Sequence, residues 1–517
     1  MFPTLLRRAA LSLLWLLAAL PCFAQDPNRI LEQSIKATGG AGKVSKLQTL
    51  SLQGSLTRVS DGKAGAFTLD LKTPNRYYLE LATAEQPEIL AYNGKSAWHL
   101  SPQGAPTTLL GEEALQTEAA SFLATSHLIN PKKNKVGIAV LGPAKVGSHD
   151  AVELEFTMPT GIKRQMYFDN DSYLLLKESG QTAGAPQEII YDDYRPENGL
   201  QVAHKLELHR GSETYKIVID RVSVNQTIGE RVFDFPIKSQ IHLPDLRKLF
   251  AEIDENQKQT DKIKENYTGR RASEETEYDA SGKVTKLQRE EHTFFYLNGE
   301  EISTLVGKDG HPLSSEEQAK QNEITRKRIE EIQKKQTTKD QKMEKDREAG
   351  KEKDEKGEDE PGIELFLRAC QFVNPRRERF RGQDVLVFDF EANPEYKPKK
   401  IVEKIVQHLA GVIWIDEKQH QVVRLEAYFV NDFRFAGGLL ANLQKGTSFI
   451  FEQTFVNNEV WLPTYDEAHI GVRVLLVKGF KVNEVTRYSD YQRFNVATVS
   501  TISNPKDDTA KATDKQP

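Results

Sequence analysis

The sequence predicts a mainly β protein (α+β) built from two related β modules in tandem. The first observation is the block from Gly411 to Val496, whose β-branched and aromatic segments are separated by polar turns, as in a β-meander. The second is that much of this block matches an earlier stretch of the chain. The third is the length of 517 residues, which exceeds what one hydrophobic core usually fills.

Composition gives no indication of a nucleic-acid partner. The chain has 70 basic and 75 acidic residues, a formal net charge of -5, so it lacks the positive excess that attracts nucleic acid. Hydrophobic residues make up 38% of the chain. This value is below the globular average, and a charged segment described below accounts for part of the deficit.

Residues 1–24 have the pattern of a secretory signal peptide. Arg7 and Arg8 precede a short apolar run, and Cys22-Phe23-Ala24 places small residues where a signal peptidase cleaves, so cleavage is predicted before Gln25. The alternative is a lipoprotein signal with Cys22 as the acylated residue, which we disfavour because Leu20-Pro21 is a poor lipobox. We expect the mature protein to be soluble and outside the cytosol.

Cys370 is the one cysteine left after the predicted cleavage. No intramolecular disulfide is then available, although exported proteins often use them. We interpret Cys370 as a small buried apolar residue.

The first module is predicted to begin with a helix and to continue as strands. Ile30, Leu31 and Ile35 have helical spacing, and Gly39-Gly40 ends the helix. The segments after it alternate at period two, with a hairpin turn at Asn93-Gly94. The predicted strands and the second helix are Leu50–Leu56, Ala66–Leu71, Arg76–Leu81, Glu88–Tyr92, Ser96–Leu100, helix Glu112–Leu128, Ala151–Thr157, Lys163–Phe168, Tyr173–Glu178, Pro186–Tyr194, Leu200–Arg210 and Glu213–Val224.

The second module repeats several short motifs of the first in the same order. No single match is specific, but the series at comparable spacing indicates two homologous domains, 25–238 and 239–497. The matched pairs are His127–Lys133 with Gln371–Arg377, Asp150–Phe156 with Asp384–Phe390, Met166–Asp169 with Ile413–Asp416, Lys177-Glu178 with Arg424–Glu426, and Asp193–Ala203 with Thr454–Pro463.

Two insertions distinguish the second module. Residues 397–410 carry a helical apolar stripe on a Lys-rich background, which we interpret as an ordinary helix packed on its own sheet; the alternative is a basic amphipathic lid that touches a membrane transiently. Residues 314–360 are mostly Glu, Lys, Gln, Asp and Arg. They open like a capping box at Ser314–Glu317, and beyond about Thr337 we expect a solvated or disordered arm. The tail, 498–517, is predicted to be disordered.

The sequence contains no recognisable catalytic or cofactor motif, so no catalytic, cofactor-binding or metal-ligating residue is predicted, and ligand-binding residues stay unassigned. His204 and His209 are five positions apart on a predicted strand and therefore face opposite sides. Asp192-Asp193 and Asp169–Asp171 fit turns better than a cation site. Gly39–Gly42 lacks the preceding strand of a dinucleotide loop. Trp98, Trp414 and Trp461 are expected in the core, with a ligand groove as the alternative.

Several features together resemble one superfamily. A helix with Ala37–Gly40 follows the signal peptide, and Phe168-Asp169 is a strand start of the Ile/Phe-Asp type. Asp193–Leu200 reads Asp-Tyr-Arg…Gly-Leu, and Phe233–Pro236 closes the domain after Val224-Asn225. This pattern is similar to the outer-membrane lipoprotein-sorting (LolA-like) superfamily, whose fold group includes LolB-like and RseB-like proteins. The resemblance implies two incomplete antiparallel β-barrels, each curved around helices, in a periplasmic protein without an enzymatic activity or cofactor.

The resemblance also implies a ligand class. A concave apolar β-sheet can bury acyl chains, so lipids or acylated lipoproteins are the expected partners. The alternative is an envelope sensor or scaffold that binds another protein through the charged arm, Ser314–Glu360. A hydrolase ranks third, because it would need clustered acidic or His residues in a cleft.

Overall fold

The computed structural model describes residues 26–83, 86–125, 129, 131, 133–182, 184–236, 244–279, 283–348, 363–435, 441–473 and 480–494. The predicted signal peptide, Cys22 and the tail from 498 lie outside these residues. The chain divides into two compact units, Met1–Phe235 and Pro236–Pro517. The helices are α1 (Pro27–Thr38), α2 (Ala41–Val44), α3 (Gly111–Ala124), α4 (Leu246–Lys264), α5 (Ser315–Glu348), α6 (Ile363–Ala369) and α7 (Ile401–Val406), with a 3₁₀ turn at Glu230–Val232.

Unit 1 is one antiparallel sheet of thirteen strands in the order β6-β5-β4-β3-β2-β1-β13-β12-β11-β10-β9-β8-β7. The chain forms a meander, passes through α3, and returns as a second meander whose last strand pairs with β1. The strands are β1 (Thr49–Arg58), β2 (Ala64–Lys72), β3 (Arg76–Ala82), β4 (Glu88–Tyr92), β5 (Ala97–Leu100), β6 (Thr107–Thr108), β7 (Gly137–Val146), β8 (His149–Thr157), β9 (Lys163–Asp169), β10 (Leu175–Thr182), β11 (Ala185–Glu197), β12 (Leu200–Arg210) and β13 (Glu213–Val224).

Unit 2 repeats this connectivity with the order β17-β16-β15-β14-β26-β25-β24-β21-β20-β19-β18, and β22 and β23 branch from β25. Its first strand again pairs with its last. The strands are β14 (Tyr267–Tyr278), β15 (Val284–Leu297), β16 (Glu300–Lys308), β17 (His311–Pro312), β18 (Cys370–Phe380), β19 (Gln383–Ala392), β20 (Leu409–Asp416), β21 (Gln421–Phe429), β22 (Phe433–Phe435), β23 (Ala441–Leu443), β24 (Ser448–Val456), β25 (Val460–Arg473) and β26 (Phe480–Arg493).

The predicted fold class is confirmed, because the chain is mainly β and consists of two large antiparallel sheets, neither of which closes into a barrel. The shared turn after β9 and β20 shows how closely the units correspond. Asp169 accepts hydrogen bonds from the backbone N–H groups of Asp171 and Ser172, and Asp416 does the same for Lys418 and Gln419. An Asp at a strand end therefore builds the same Asx-type turn twice.

The two insertions differ from their predictions in extent. The charged helix α5 was expected to end near Thr337, but it continues to Glu348. Pairs one turn apart, such as Arg326 with Glu323 and Glu330, supply the stabilisation that its few apolar residues do not. The helix predicted within 397–410 is only the six residues of α7, because Leu409 already begins β20.

The apolar stripe of α7 packs on its own unit at one end only. Val406 is buried in the core against β19 and β20, whereas Ile401 is 49% exposed. No helix in the described part of the chain is both long and apolar enough to cross a membrane.

Gly54 gives a direct test of the register of unit 1. A Cβ at this position would lie 1.9 Å from the Val218 carbonyl oxygen across the strand pair, beside the bulge in β1. We therefore expect Gly54→Ala to lower the free energy of unfolding by about 1–3 kcal/mol, measured by urea denaturation. Gly137→Ala on β7 is the control, because its Cβ would meet ordinary contacts from 3.5 Å. Equal stability of the two variants would contradict this register.

Candidate ligand-binding site

The candidate site is the face of the unit 1 sheet on which α1 and α3 pack, here called the inner face. Two apolar clusters cover it. One, around Leu79, Leu81 and Leu90, belongs to strands β1–β4, β12 and β13; the other, around Leu154 and Phe156, belongs to β8 and β9. The alternation of strand side chains places every second residue on this face. The result is a continuous apolar surface interrupted by a few buried charges.

Helix α1 is firmly held on this face. Ile30 and Leu31 are at most 4% exposed, Asp26 caps the helix by accepting from the Asn28 N–H, and Gly39 ends it with φ of 143°. A capped helix that buries two large aliphatic side chains gains several kcal/mol from these contacts.

Helix α3 is held differently, although it touches both apolar clusters through residues such as Ala114 and Leu123. Leu110 precedes it without a side-chain cap. Most of the side chains that it buries fully are small or polar, and Leu123 is the one large aliphatic among them; Leu115 and Phe122 are half-buried and also pack against the cluster around Leu154 and Phe156. The five fully buried residues are Gln116, Thr117, Ala119, Ser121 and Leu123.

The polar groups beneath α3 are incompletely satisfied. Thr117 donates to the Glu113 carbonyl within the helix itself. The buried Ser121 hydroxyl and the Gln116 amide oxygen have no hydrogen-bond partner among the described residues. An unpaired buried polar atom costs about 1–3 kcal/mol, so these two groups offset part of the stabilisation that α3 gains from Leu115, Phe122 and Leu123.

In the described state α3 leaves little space beneath it. The pocket between its C-terminal end and strands β1 and β2, lined by Leu50, Leu71 and Ala124, has a volume of about 10 Å³. This is room for about one water molecule. An elongated apolar ligand would therefore need α3 to move.

A group of buried charges interrupts the inner face. Arg164 is 1% exposed and donates through Nη2 to the carbonyl oxygens of Gln116 (3.0 Å) and Gln181 (2.7 Å). Burial raises the pKa of Glu178, an effect that the Arg164 charge and a hydrogen bond from Tyr191 oppose. Such groups are enriched at functional sites, and Arg164 also ties β9 to α3.

A second buried pair lies at the β4 end of this face. The Arg210 Nη1 donates to Glu88 Oε1 at 2.8 Å, and His99 Nε2 lies 3.2 Å from the same oxygen. Burial raises the pKa of Glu88, but the hydrogen bond from His99 and the charge and hydrogen bond of Arg210 outweigh burial and lower the pKa to about 2. The pair therefore favours the folded state when Glu88 is ionised.

This pair predicts a pH-dependent stability. The folded pKa of Glu88 lies below its ordinary value of 4.5, so its contribution is present above that value and is lost as the pH falls towards 2. Glu88→Gln is expected to lower the free energy of unfolding by at most about 3 kcal/mol at about pH 7. At about pH 4 the difference between the variant and the parent should be smaller. Urea denaturation at both pH values measures it. Glu207→Gln, at a residue 40% exposed, is the control. A pH-independent cost would contradict the assignment.

In unit 2 the equivalent face carries α4, with Leu249, Phe250 and Ile253 buried against strands β19 to β21. Further along this face, Lys264 of α4 lies 5.0 Å from the ring centroid of Tyr296, and the partner of Tyr296 across the strand pair is Glu301. Successive strand residues alternate in direction, so the side chains of Glu300, Ile302 and Thr304 point to the opposite face.

That opposite face is where α5 packs. Thr325 and Thr304 share a hydrogen bond of 2.8 Å between their hydroxyl oxygens, and Arg328 donates to Glu300 at 2.7 Å. Ile332 is 2% exposed on a helix whose other described side chains are mostly exposed. Between its two meanders, unit 2 thus has α6 packed in the cluster that holds α4, as unit 1 has α3 on its inner face, and in addition α5 on the other side.

The residues singled out in the sequence do not converge on one site. Trp98, Trp414 and Trp461 are each at most 4% exposed, so they are core residues. His204 bonds to the Ile219 carbonyl and His209 to the Thr214 hydroxyl. In the described part of the chain no group of three or more His, Cys, Asp or Glu could hold a metal ion.

Cys370 behaves as a core residue. Cys370 is buried among Leu249, Phe388 and their neighbours, and burial raises the pKa of its thiol to about 12. It is therefore an unreactive thiol at neutral pH.

The sequence reading missed Arg164 and Glu178. A signal was present, because Arg164 shares strand parity with Met166 and Phe168 and so belongs to the apolar face of Lys163–Asp169. A charge at a core position of an alternating strand indicates a buried, partnered group.

Comparisons with solved structures find matches at low sequence identity and low TM-score. No family model matches the chain, and no curated protein matches it in sequence. A LolA superfamily protein from Nitrosomonas europaea is 12% identical, with a TM-score of 0.28 over 40% of this chain and 96% of its own. A putative outer membrane lipoprotein-sorting protein domain from Vibrio parahaemolyticus is 11% identical, with a TM-score of 0.24 over 40% and 95%.

Longer coverage comes from the MucA/MucB complex of Pseudomonas aeruginosa, at 9% identity and a TM-score of 0.18 over 90% of this chain and 99% of that chain. The solved structures to which this chain is similar thus include LolA-superfamily, lipoprotein-sorting and MucB proteins, the group that the sequence itself resembles.

Proposed function

We propose that this chain is a non-enzymatic periplasmic protein that binds acyl chains of lipids or lipoproteins on the inner face of unit 1. The observation that carries the proposal is that α3, which covers an extensive apolar sheet, buries two polar atoms without hydrogen-bond partners among the described residues. In this account α3 moves aside, and the acyl chain takes its place against Leu79, Leu81 and Leu90.

The energetics favour such an exchange. A chain of ~14 methylenes, buried completely, gains ~11 kcal/mol before the cost of ordering is subtracted. The 14-residue helix that it displaces fully buries one large aliphatic side chain, two hydroxyl residues, an amide and an alanine, with Leu115 and Phe122 half-buried beside them. Displacement also returns the Ser121 hydroxyl and the Gln116 amide to water, which removes a desolvation penalty.

Binding of a fluorescent fatty acid, 11-(dansylamino)undecanoic acid, tests the proposal. The apparent affinity equals the intrinsic affinity scaled by the fraction of protein with α3 displaced. Leu123→Ala weakens the cover and is expected to tighten apparent binding by about tenfold or more, until the open state dominates. Ser121→Ala removes an unsatisfied hydroxyl and is expected to weaken binding about fivefold.

General destabilisation of the protein would change the apparent fatty-acid affinity of both variants in the same direction. Opposite changes in the two variants would therefore point to the stability of α3 itself. Leu141→Ala is the matched control, because Leu141 on β7 is 52% exposed. The proposal fails if the probe does not bind saturably, or if Leu123→Ala and Ser121→Ala change the affinity in the same direction while circular dichroism shows both to be folded.

A second candidate function is an envelope sensor or scaffold that binds another protein through α5. The observation that favours it is the exposure of this 34-residue helix beyond Ile332, where its described side chains face solvent. A helix of this length extends about 50 Å. Deletion of 333–360 would abolish capture of such a partner and leave fatty-acid binding intact, whereas loss of fatty-acid binding alone would argue for lipid carriage.

A further inference from the structure

Unit 1 contains an open cleft beside the first turns of α3, at the edge of the apolar surface that this helix covers. Its volume is about 520 Å³, within the range of small-molecule sites. It lies at one end of the sheet, where β9 starts, β10 ends and β11 starts, next to the first turns of α3. Three charged residues and the apolar Ile162 and Pro186 contribute to its lining, and the neutral polar groups there are the Ser179 hydroxyl and four amides: Gln116, Gln165, Gln181 and Gln187.

Buried polar groups form one wall of the cleft. Gln116 is 7% exposed, lines the cleft, and its amide oxygen has no hydrogen-bond partner among the described residues. Arg164, 1% exposed, lies directly behind Gly180, and its Nε also lacks a partner within the described chain. A Cβ on Gly180 would meet the Arg164 guanidinium at 3.1 Å, so glycine is what lets the arginine lie against the strand.

The charges around the cleft already have partners. Lys163 pairs with Glu155 at 2.8 Å, and Glu188 pairs with Lys177 at 3.2 Å. The third charged residue of the lining, Glu112, accepts from the Gln116 amide at 3.4 Å. Among the neutral groups, the Gln187 amide oxygen accepts from Arg210 and Ser179 donates to Gln165 at 3.4 Å. These bonds leave capacity unused, because each side-chain amide has two donors and two acceptor lone pairs and a hydroxyl also accepts.

We propose that this cleft binds a neutral polyhydroxylated group, either a free sugar or the sugar headgroup of a lipid. A hydroxyl donates one hydrogen bond and accepts others, which complements side-chain amides more fully than it complements a charged group. The paired charges disfavour an ionic ligand, because binding it would break an existing ion pair or leave the ligand charge unpaired. The inference does not depend on acyl-chain binding, since no apolar surface is required.

The test uses the full chain and two probes, one for each source of this chemistry. Saturation-transfer NMR with maltose reports a free sugar, and flotation with vesicles that contain digalactosyldiacylglycerol, against vesicles of phosphatidylcholine alone, reports a headgroup. The double variant Gln165→Ala/Gln181→Ala removes two amides of the lining. Gln53→Ala, at an exposed glutamine on β1, is the matched control.

Binding of maltose that weakens at least about fivefold in the double variant and not in Gln53→Ala supports a free-sugar site. Galactolipid-specific flotation with the same dependence, without a maltose signal, supports a headgroup site. Absence of both signals, or signals that the double variant retains in full, overturns the proposal. Dansyl fatty-acid binding, measured in parallel, should be unchanged in the double variant, so failure here is distinguishable from failure of the acyl-chain site.

Discussion

Replacing Arg376 by methionine is expected to lower the free energy of unfolding of unit 2 by about 3–5 kcal/mol. Arg376 is 1% exposed on β18. Its Nε lies 2.9 Å from Glu378 Oε1 and its Nη2 3.0 Å from Asp389 Oδ1, and these carboxylates are at most 5% exposed. Methionine fills a similar volume but leaves both carboxylates buried without their cation.

The same strand supplies the control. Arg379 is 76% exposed and its Nε is 3.8 Å from Asp384 Oδ1, so Arg379→Met is expected to change stability by at most about 0.5 kcal/mol. Urea denaturation followed by circular dichroism measures both variants. Because the chain has two units, the transition of unit 2 should shift while that of unit 1 stays in place. If the two substitutions cost the same, the buried ion cluster is not a stabilising feature of unit 2.

Replacing Ile332 by aspartate is expected to release α5 from the sheet. Removing a buried isoleucine costs about 2–5 kcal/mol, and an unpaired carboxylate at a position 2% exposed adds a desolvation penalty. A loss of about 3 kcal/mol raises the opening equilibrium of the helix at least about a hundredfold. Hydrogen–deuterium exchange of 315–335 would report this as faster exchange, with strands β18 to β21 unchanged.

Ile324 on the same helix gives the comparison, because it is 51% exposed. Ile324→Asp should leave exchange in α5 near that of the parent. Equal acceleration by both substitutions would show that α5 is not docked through Ile332. The two substitutions also test the second candidate function. Binding of a partner to α5 would change in Ile332→Asp, where the helix is released, whereas fatty-acid binding in unit 1 would not change.

Local chemistry explains why much of the fold was predictable. Alternating strands, the hairpin turn at Asn93-Gly94 and the helix stop at Gly39-Gly40 each depend on residues close in sequence. The turns at Asp169 and Asp416 are set by one side chain and the backbone next to it, so matching sequence motifs led to matching structure. Both sheets follow from these signals combined with the internal repeat.

The features that decide the candidate site depend on distant contacts, which the sequence does not display directly. The unsatisfied groups of α3 are evident only from the structure, where the Ser121 hydroxyl and the Gln116 amide oxygen are buried without hydrogen-bond partners among the described residues. The side of the sheet on which α5 packs depends on one buried residue, Ile332. This residue lies in a segment that composition alone predicts to be solvated. The helix α5 is longer than predicted, because ion pairs one turn apart also stabilise it.

The most direct test of the central claim is mass spectrometry of an organic extract from the full chain, purified without detergent from cells that export it. Acyl-chain binding predicts stoichiometric acyl lipid in the parent, and less lipid in Ser121→Ala, whose cover is more stable. An extract without acyl lipid from either protein, together with no saturable binding of the dansyl fatty acid, would contradict the claim.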